Sequence, residues 1–442
     1  MTKVRTENLG SWRRTHYSTQ ITPKLHGKKT LVLGWVIGIR EHGGITFIDL
    51  QDKEGLVQLA FPKDAVPDSV LEKVGTLGRQ FVIGALGTVK RAKKAPHGAE
   101  IIPEEIRVLA DAPEAPPPQF FLRGASDLDK RLDVRVVDLR RNKIQAIFKI
   151  RSRILASARE FLFEKGYLEV NTPRIIASAT EGGAALFPLL FYDKEAFLAQ
   201  SPQLFKEQLV SVFEKVFEIG PVFRAEQSRT LRHLSEVTSL DLEEAFATYE
   251  DVMKVLEQLI SRVVRDVARE HEMELKLLGQ KLSIPKLPLK RYAYDEILRI
   301  LEKEGVSISW GEDLPTIGLR ALDKVLPQFY FITDWPTASK PFYIMPKPNR
   351  QEICEAFDFM YGSLEIASGG TRVSSKTMLI KRLEDQGLDP KNFEYHLKTF
   401  DFGMPPHAGW GLGVDRLTMV LTGQDNIREV VLFPRDRFRL TP

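Results

Sequence analysis

Phe223-Arg224-Ala225-Glu226 and Gly411-Leu412-Gly413-Val414-Asp415-Arg416, with Asp358 and Glu365 between them, decide how this chain is read. The first segment sets an Arg and an acid two residues apart at the end of an apolar strand. The last is a small-residue turn running into a helix that carries Arg416. Asp358 and Glu365 lie seven residues apart in a hydrophobic stretch. On one helix that spacing aligns them; along one strand an odd spacing opposes them. Each feature alone has an ordinary use, since Arg–acid pairs end many strands and GxG makes many tight turns. Together they offer cations for phosphates, acids for a divalent metal, and an Arg able to cover a purine. That combination points to an enzyme that handles a nucleotide.

The chain has 442 residues, too many for one small core, so two or more domains are expected. With 43% hydrophobic and 28% charged residues the composition is that of a globular protein. No apolar run approaches the ~18 residues of a membrane span. Met1-Thr2-Lys3-Val4-Arg5 leads into polar sequence with no apolar core of a secretory signal. The single cysteine, Cys354, has no partner for an internal disulfide and reads as a small core residue. A cytoplasmic protein is therefore expected. A net charge of +4 neither demands nor excludes nucleic acid.

Working outward, residues 12–110 read as all-β. Thr30 to Ile37, Ile45 to Leu50, Leu56 to Phe61, Gln80 to Val89 and Glu100 to Leu109 are short, β-branched and apolar. Five such strands in about 100 residues suit a small closed barrel of the OB type. Lys90-Arg91-Ala92-Lys93-Lys94 precedes the last strand. As a charge run it reads as a solvated hairpin tip, while Phe47 and Trp35 near Arg40 favour a face that holds unpaired bases. Asp111 to Pro118 is a stiff, Pro-rich connector. Beyond it Ile144, Ile147, Phe148, Arg151, Ile154, Leu155, Ala158, Phe161 and Leu162 follow helical spacing, as do Val252, Val255, Leu256, Leu259, Ile260, Val263, Val264 and Val267. Strand-like runs lie between these helices. The expected organisation is an all-β barrel over 1–112, a linker over 113–143, and an α+β domain over 144–442, an antiparallel sheet flanked by helices.

Gly166 to Pro173, the FRAE segment and GLGVDR resemble motifs 1, 2 and 3 of the class II aminoacyl-tRNA synthetases. Gln200-Ser201-Pro202-Gln203-Leu204-Phe205-Lys206, Thr180-Glu181-Gly182-Gly183 and Leu432-Phe433-Pro434-Arg435-Asp436 narrow the resemblance to the aspartyl-tRNA synthetases of archaeal type. It covers nearly the whole chain from about Trp12. It implies the class II sheet, an N-terminal anticodon-binding OB-fold and a homodimer.

The resemblance also implies roles. Arg224 holds the α-phosphate of ATP, where a planar guanidinium neutralises charge that develops in an in-line displacement. Glu226 contacts the adenine, and Arg416 stacks on it. Arg232 and His233 approach the β,γ-phosphates. Asp358 and Glu365, with Ser368 nearby, hold Mg²⁺ bridging phosphates. Lys206 and Arg372 clamp the side-chain carboxylate of L-aspartate. Asparagine would leave that charge unpaired. Glu181, Gln203 and Asp241 surround the α-ammonium, with Ser201 in support. In the barrel Phe47 stacks an anticodon base while Gln58 and Glu100 read base edges. Read without the resemblance, Phe47 is a barrel-core side chain, Asp241 a strand-end acid, and Arg416 a helix Arg reaching to solvent.

The chain departs from the family in places. Glu236 is followed by Val237 where relatives often carry Phe under the adenine, and Val373-Ser374-Ser375-Lys376 replaces a segment in which many carry His. Relatives that accept only the aspartate tRNA tend to have Lys where this chain has Pro96, and Trp where it has Ile37. These two positions imply a relaxed enzyme that charges both the aspartate and the asparagine tRNA. The expected activity is thus ATP-dependent aspartate–tRNA ligation, with Mg²⁺. Its rivals are an asparaginyl enzyme, opposed by Lys206, and a noncatalytic tRNA-binding paralogue, opposed by joint retention of Arg224, Asp358, Glu365 and Arg416.

Overall fold

The structure is a computed structural model that describes residues 5–114, 127–177, 186–225 and 230–442. It divides into two compact units, residues 1–127 and 128–442.

In the first unit β1 (Lys29–His42), β2 (Ile45–Gln51), β3 (Leu56–Pro62), β4 (Val82–Arg91) and β5 (Ala99–Ala110) close a barrel in the order β1-β2-β3-β5-β4. Ile48, Leu59, Ile83 and Ile101, one from each of four strands, are fully buried in its core. A bulge interrupts β1 between Val36 and Gly38, which leaves Ile37 as the extra residue opposite β2. Helix α1 (Asp68–Val74) lies between β3 and β4 in the chain and buries Val70 and Val74, one turn apart. The sequence reading left it unassigned, because seven residues hold too few periods to register.

The second unit begins earlier than expected. Residues 128–143 were expected to be linker, yet α2 (Leu128–Asp133) and α3 (Arg135–Asp138) belong to the second unit. Ion pairs rather than an apolar stripe anchor them. Arg131 reaches Asp138 at 2.9 Å and Glu429 at 2.7 Å, and buried Arg135 donates to Asp138 and to the Glu429, Val431 and Leu432 carbonyls. A search for hydrophobic periodicity is blind to such an anchor.

Helix α4 (Asn142–Glu164) follows, then β6 (Leu168–Glu169), β7 (Ile175–Ile176), β8 (Pro188–Phe191), β9 (Lys194–Leu198) and α5 (Gln203–Phe213). Next come β10 (Lys215–Phe223), β11 (Glu236–Ala245), α6 (Tyr249–Glu270), α7 (Glu272–Leu278) and β12 (Lys290–Ala293). Then α8 (Tyr294–Lys303), α9 (Thr316–Val325), β13 (Phe329–Thr333), β14 (Pro346–Lys347) and β15 (Arg350–Cys354). The chain closes with β16 (Ala356–Tyr361), β17 (Leu364–Thr371), α10 (Lys376–Asp385), α11 (Glu394–Phe400), β18 (His407–Gly413) and α12 (Val414–Thr422). Eight strands form one sheet ordered β12-β13-β16-β17-β18-β11-β10-β6. It is antiparallel throughout its middle and parallel only at its two edge pairs. The α+β class follows.

Helix α6 anchors one face of this sheet. Val252, Leu256, Leu259, Ile260, Val263, Val264 and Val267 are all fully buried, packed with α4 against Phe217, Leu242, Phe357 and Trp410. At ~1.5–3 kcal/mol per buried aliphatic side chain the gross gain is on the order of 10–20 kcal/mol. A Thr248–Asp251 capping box starts the helix. The opposite face is apolar at its β13–β16 end, where Tyr330, Ile332 and Met360 join a second cluster, and polar beside it.

Candidate active site

The polar part of that face holds a cavity of about 370 Å³. Ser201, Gln203, Arg224, Arg232, His233, Asp241, Asp358, Glu365, Ser368, Arg372 and Arg416 all line it, from five strands and two helices or the loops beside them. Glu181 and Glu226 lie outside the described residues. Val237 also lines the cavity.

At one end the cations are loosely held. Arg224 follows β10, its backbone N–H bonded to the Ser235 carbonyl. Arg232 donates to the Ser363 carbonyl and hydroxyl at 3.2 and 3.4 Å. Arg416, in the first turn of α12, donates to the Glu365 carbonyl at 2.9 Å and to His233 Nε2 at 3.1 Å. A guanidinium only donates, so Nε2 is the acceptor and the His233 ring proton sits on Nδ1, 2.7 Å from the Thr230 hydroxyl. The GLG of the last segment is the end of strand β18, not a turn; α12 starts at Val414. Asp415 faces back, paired with Arg151 of α4 at 2.5 Å and accepting from the Thr238 N–H. Burial raises its carboxyl above the usual range against the pull of Arg151.

The two mid-chain carboxylates meet by a route the spacing did not suggest. They occupy neighbouring strands, Asp358 on β16 opposite Ser368 on β17. From Ala367 the register would set Glu365 on the opposite side, but a bulge intervenes: Phe359 pairs with Ala367 and Met360 with Glu365, leaving Ile366 extra. The added residue restores Glu365 to the face of Asp358 and Ser368. Lys340, which the sequence reading did not single out, bonds both Asp358 oxygens at 2.9 and 2.7 Å. Burial, with the Glu365 charge adding to it, pushes the Asp358 carboxyl up to about 6 despite Lys340. Two carboxylates and a hydroxyl are hard oxygen donors, too few for a closed cage. They fit Mg²⁺ brought in as a phosphate complex with its own water.

The other end is tightly cross-linked. Arg372 donates to Glu243 at 2.9 and 3.3 Å and to the Gln203 carbonyl oxygen at 3.3 Å. Burial opposes its charge, but Glu243 outweighs that and holds the guanidinium above its ordinary value. Lys206 lies beneath the cavity, only 2% exposed, and not in its wall. It sits 3.1 Å from Asp241 and 3.3 Å from Glu243, with the Leu242 and Trp410 carbonyls completing its shell. Asp241 also accepts from Ser239 at 2.6 Å. Gly409 of β18 makes room for this, since a Cβ there would collide with the Glu243 carboxylate.

Residues 127–437 match the family described as tRNA synthetases class II (D, K and N), and residues 30–109 match an OB-fold nucleic acid binding domain. Over 98% of its length the chain is 48% identical to the Aspartate--tRNA(Asp/Asn) ligase of Methanothermobacter thermautotrophicus, covering all of that protein. A relative of the same name from Methanocaldococcus jannaschii is equally similar. The chain belongs to the aspartate–tRNA(Asp/Asn) ligase family. Among solved structures it resembles asparaginyl-tRNA synthetase from Pyrococcus horikoshii complexed with asparaginyl-adenylate, with a TM-score of 0.92 and 35% identity, covering 97% of this chain and all of that one. It also resembles aspartyl tRNA synthetase from Entamoeba histolytica, with a TM-score of 0.85 and 29% identity, over all of this chain and 93% of that one.

Within this class II synthetase, sequence reasoning missed Glu243, Glu207 and Lys340. A signal for Glu243 was present: it alternates with Asp241 along β11, so the two share a face. The barrel residues also fall into a row. Arg40 stands 5.8 Å from the Phe47 ring and bonds Asp49 and the Gln58 carbonyl; Gln58 in turn donates to Glu100 at 2.6 Å. Phe47 is half-buried at the end of this row, and Gln58 and Glu100 are cross-strand partners. Pro96 opens a one-turn 3₁₀ segment between β4 and β5. Among the described residues no helix is long and apolar enough to cross a membrane.

Proposed function

We propose that this synthetase joins L-aspartate to tRNA(Asp) and tRNA(Asn) through an aspartyl-adenylate. One observation carries the reading: one cavity has cations and metal-type carboxylates at one end, and a buried, charge-balanced Arg372 with Lys206 behind it at the other. The open end suits ATP. Arg224 neutralises charge developing at the α-phosphate, Arg232 and His233 face the outer phosphates, and Arg416 covers the adenine with Val237 as its apolar floor. Asp358, Glu365 and Ser368 would hold Mg²⁺, whose chemistry is to polarise phosphate oxygens and screen their charge. The aspartate carboxylate is already a nucleophile, so activation needs positioning and no general base. In the second step a terminal ribose hydroxyl of the tRNA attacks the carbonyl carbon of the mixed anhydride; the ester bond forms, the acyl–phosphate bond breaks, and AMP leaves with the hydroxyl proton passing to its phosphate oxygen.

At the closed end Arg372 takes the side-chain carboxylate, while Asp241 and the Gln203 oxygen, joined by Glu181, accept from the ammonium. Lys206 acts from behind by neutralising Asp241 and Glu243. Without it Asp241 would be an uncompensated carboxylate in the pocket floor and Glu243 would depend on Arg372 alone, which would disfavour an anionic substrate. Acceptance of both tRNAs is supported by the names of the relatives and by Pro96 and Ile37, which offer no donor for a base edge. The barrel row with Phe47 at its end suits an unpaired base. Exposed apolar side chains on and near motif 1, Phe163, Leu168 and Ile175 with Val212 and Phe213, support a homodimer.

The test is charging of purified tRNA(Asp) and tRNA(Asn) with labelled aspartate and labelled asparagine. Aspartate on both tRNAs is expected. Asparagine on tRNA(Asn) alone would replace this reading with that of an asparaginyl enzyme, and no charging would leave a tRNA-binding paralogue. Sedimentation at micromolar concentration should give twice the chain mass.

A further inference from the structure

Beneath the closed end lies a buried cluster that the reaction does not use. Glu207 on α5 is fully buried, and so are His396 on α11 and His407 on β18. Glu207 Oε2 lies 3.2 Å from His396 Nε2 and 3.7 Å from His407 Nε2. His407 Nδ1 lies 2.8 Å from the Pro405 carbonyl, which only accepts, so Nδ1 carries a proton. The other carboxylate oxygen, Oε1, accepts from Gln203 Nε2 at 2.6 Å, one helical turn away.

That contact removes an ambiguity. A carboxamide can present either its oxygen or its nitrogen to a ligand. Here the nitrogen side of Gln203 meets only carboxylates, Glu207 at 2.6 Å and Glu243 at 3.4 Å. The opposite side meets the Arg372 guanidinium at 3.3 Å. Carboxylates only accept and guanidinium only donates, so the oxygen must face Arg372 and the cavity. Reversed, the amide would aim its N–H groups at Arg372 and at the ammonium of a bound amino acid. Glu243 alone is a weak guide, since it is the more distant partner and already serves Arg372 and Lys206.

We propose that Glu207, seated on His396 and His407, is a positioning residue for amino-acid binding: it locks Gln203 with its oxygen toward the substrate ammonium. The inference rests on the aspartate reading of this cavity. It assigns the two histidines a part as well, because their imidazoles, 3.2 and 3.7 Å away, are the charge-bearing groups beside the otherwise buried inner oxygen of Glu207.

The test is ATP–pyrophosphate exchange by the full-length enzyme, with separate KM values for aspartate and ATP. In Glu207→Gln the new carboxamide can donate or accept, so Gln203 is free to reverse. The aspartate KM should rise about tenfold or more, the factor that ~1.4 kcal/mol gives, while the ATP KM stays within about twofold. Glu207→Asp keeps an acceptor-only carboxylate on α5 and so still excludes the reversed amide. It should hold an aspartate KM within about threefold of wild type. An unchanged aspartate KM in Glu207→Gln would overturn the proposal, as would equal losses for aspartate and ATP, which mark a general packing role. Should Glu207→Gln not fold, Glu207→Met decides: it offers the amide no carboxylate, so a raised aspartate KM with normal ATP supports the lock, and an unchanged one overturns it. Wild-type enzyme with no aspartate-dependent exchange would instead defeat the aspartate reading itself.

Discussion

The two ends of the cavity are built on opposite plans. At the nucleotide end Arg232 and Arg416 rest chiefly on backbone carbonyls and a hydroxyl, and Glu365 is about half exposed. At the amino-acid end Lys206, Arg372, Asp241, Glu243 and Glu207 form one network, and none is more than 5% exposed. Nucleotide phosphates carry several charges and bring metal and water with them, so approximate, adjustable cations suffice. A single carboxylate must be told from a carboxamide of the same shape, and that demands donors whose positions are fixed beforehand. Discrimination is therefore expected to be fragile where the protein is most rigid, and nucleotide binding tolerant where it is loose.

The sharpest way to break the contrast is Lys206→Leu. It leaves Asp241 a buried carboxylate without its cation and Glu243 with Arg372 alone, a loss of about 3–5 kcal/mol, or roughly two to three and a half orders of magnitude. Aspartate-dependent pyrophosphate exchange should fall by that factor with the ATP KM little changed. Near-normal exchange would remove Lys206 from the account. Next in size is Glu365→Ala, which should cost about a hundredfold in adenylate formation and raise the Mg²⁺ concentration needed for half-maximal rate. A wild-type Mg²⁺ titration would make Glu365 a structural residue.

Third is the buried pair. Burial works to raise the Glu207 carboxyl, but the neighbouring imidazoles of His396 and His407 outweigh it and hold it well below its ordinary 4.5. Burial likewise works to lower His407, yet Glu207, aided by Glu243, lifts it above its ordinary 6.5. The depressed carboxyl contributes stability that is present above 4.5 and lost as pH falls through its folded value. The raised imidazole contributes stability that is present below 6.5 and lost as pH rises through its folded value. His407→Gln should therefore destabilise most between those limits, by about 1–3 kcal/mol, with the difference shrinking in alkali. Denaturant unfolding at pH 5.5 and at about pH 9 checks it, well either side of the ordinary His value; a pH-independent difference would refute the pairing. Smallest is Arg416→Lys. Losing the planar fork should raise the ATP KM about fivefold, roughly 1 kcal/mol, and leave the aspartate KM alone. A larger effect on aspartate than on ATP would invert the comparison between the ends.

How far these features could be read in advance depended on the kind of signal. The barrel strands and helices α4 and α6 announced themselves through period, because each buries an unbroken apolar stripe. Arg224, Arg416 and Arg372 were legible through motif resemblance, and the cavity does gather them. Lys206 was singled out by motif resemblance but not as a buried residue, since spacing says nothing of depth. Glu243 and Glu207 were passed over because each sits in an ordinary run, and only the fold brings β11, α5 and β18 together. The helical segment from Leu128 escaped for a related reason: its anchors, Arg131 and Arg135, find partners some 300 residues on, at Glu429 and beyond.

The extra residue at Ile366 has a consequence for how this gene can change. Loss of a single codon from the turn between Tyr361 and Leu364 would leave every remaining amino acid chemically intact, yet let the two strands pair without the bulge and turn Glu365 toward the helices of the core. Exchange of almost any one residue there is milder than that, because it keeps the count. The length of the hairpin is thus inherited as strictly as its acids. Lineages of this enzyme should accumulate substitutions between those two positions while their alignments stay free of gaps.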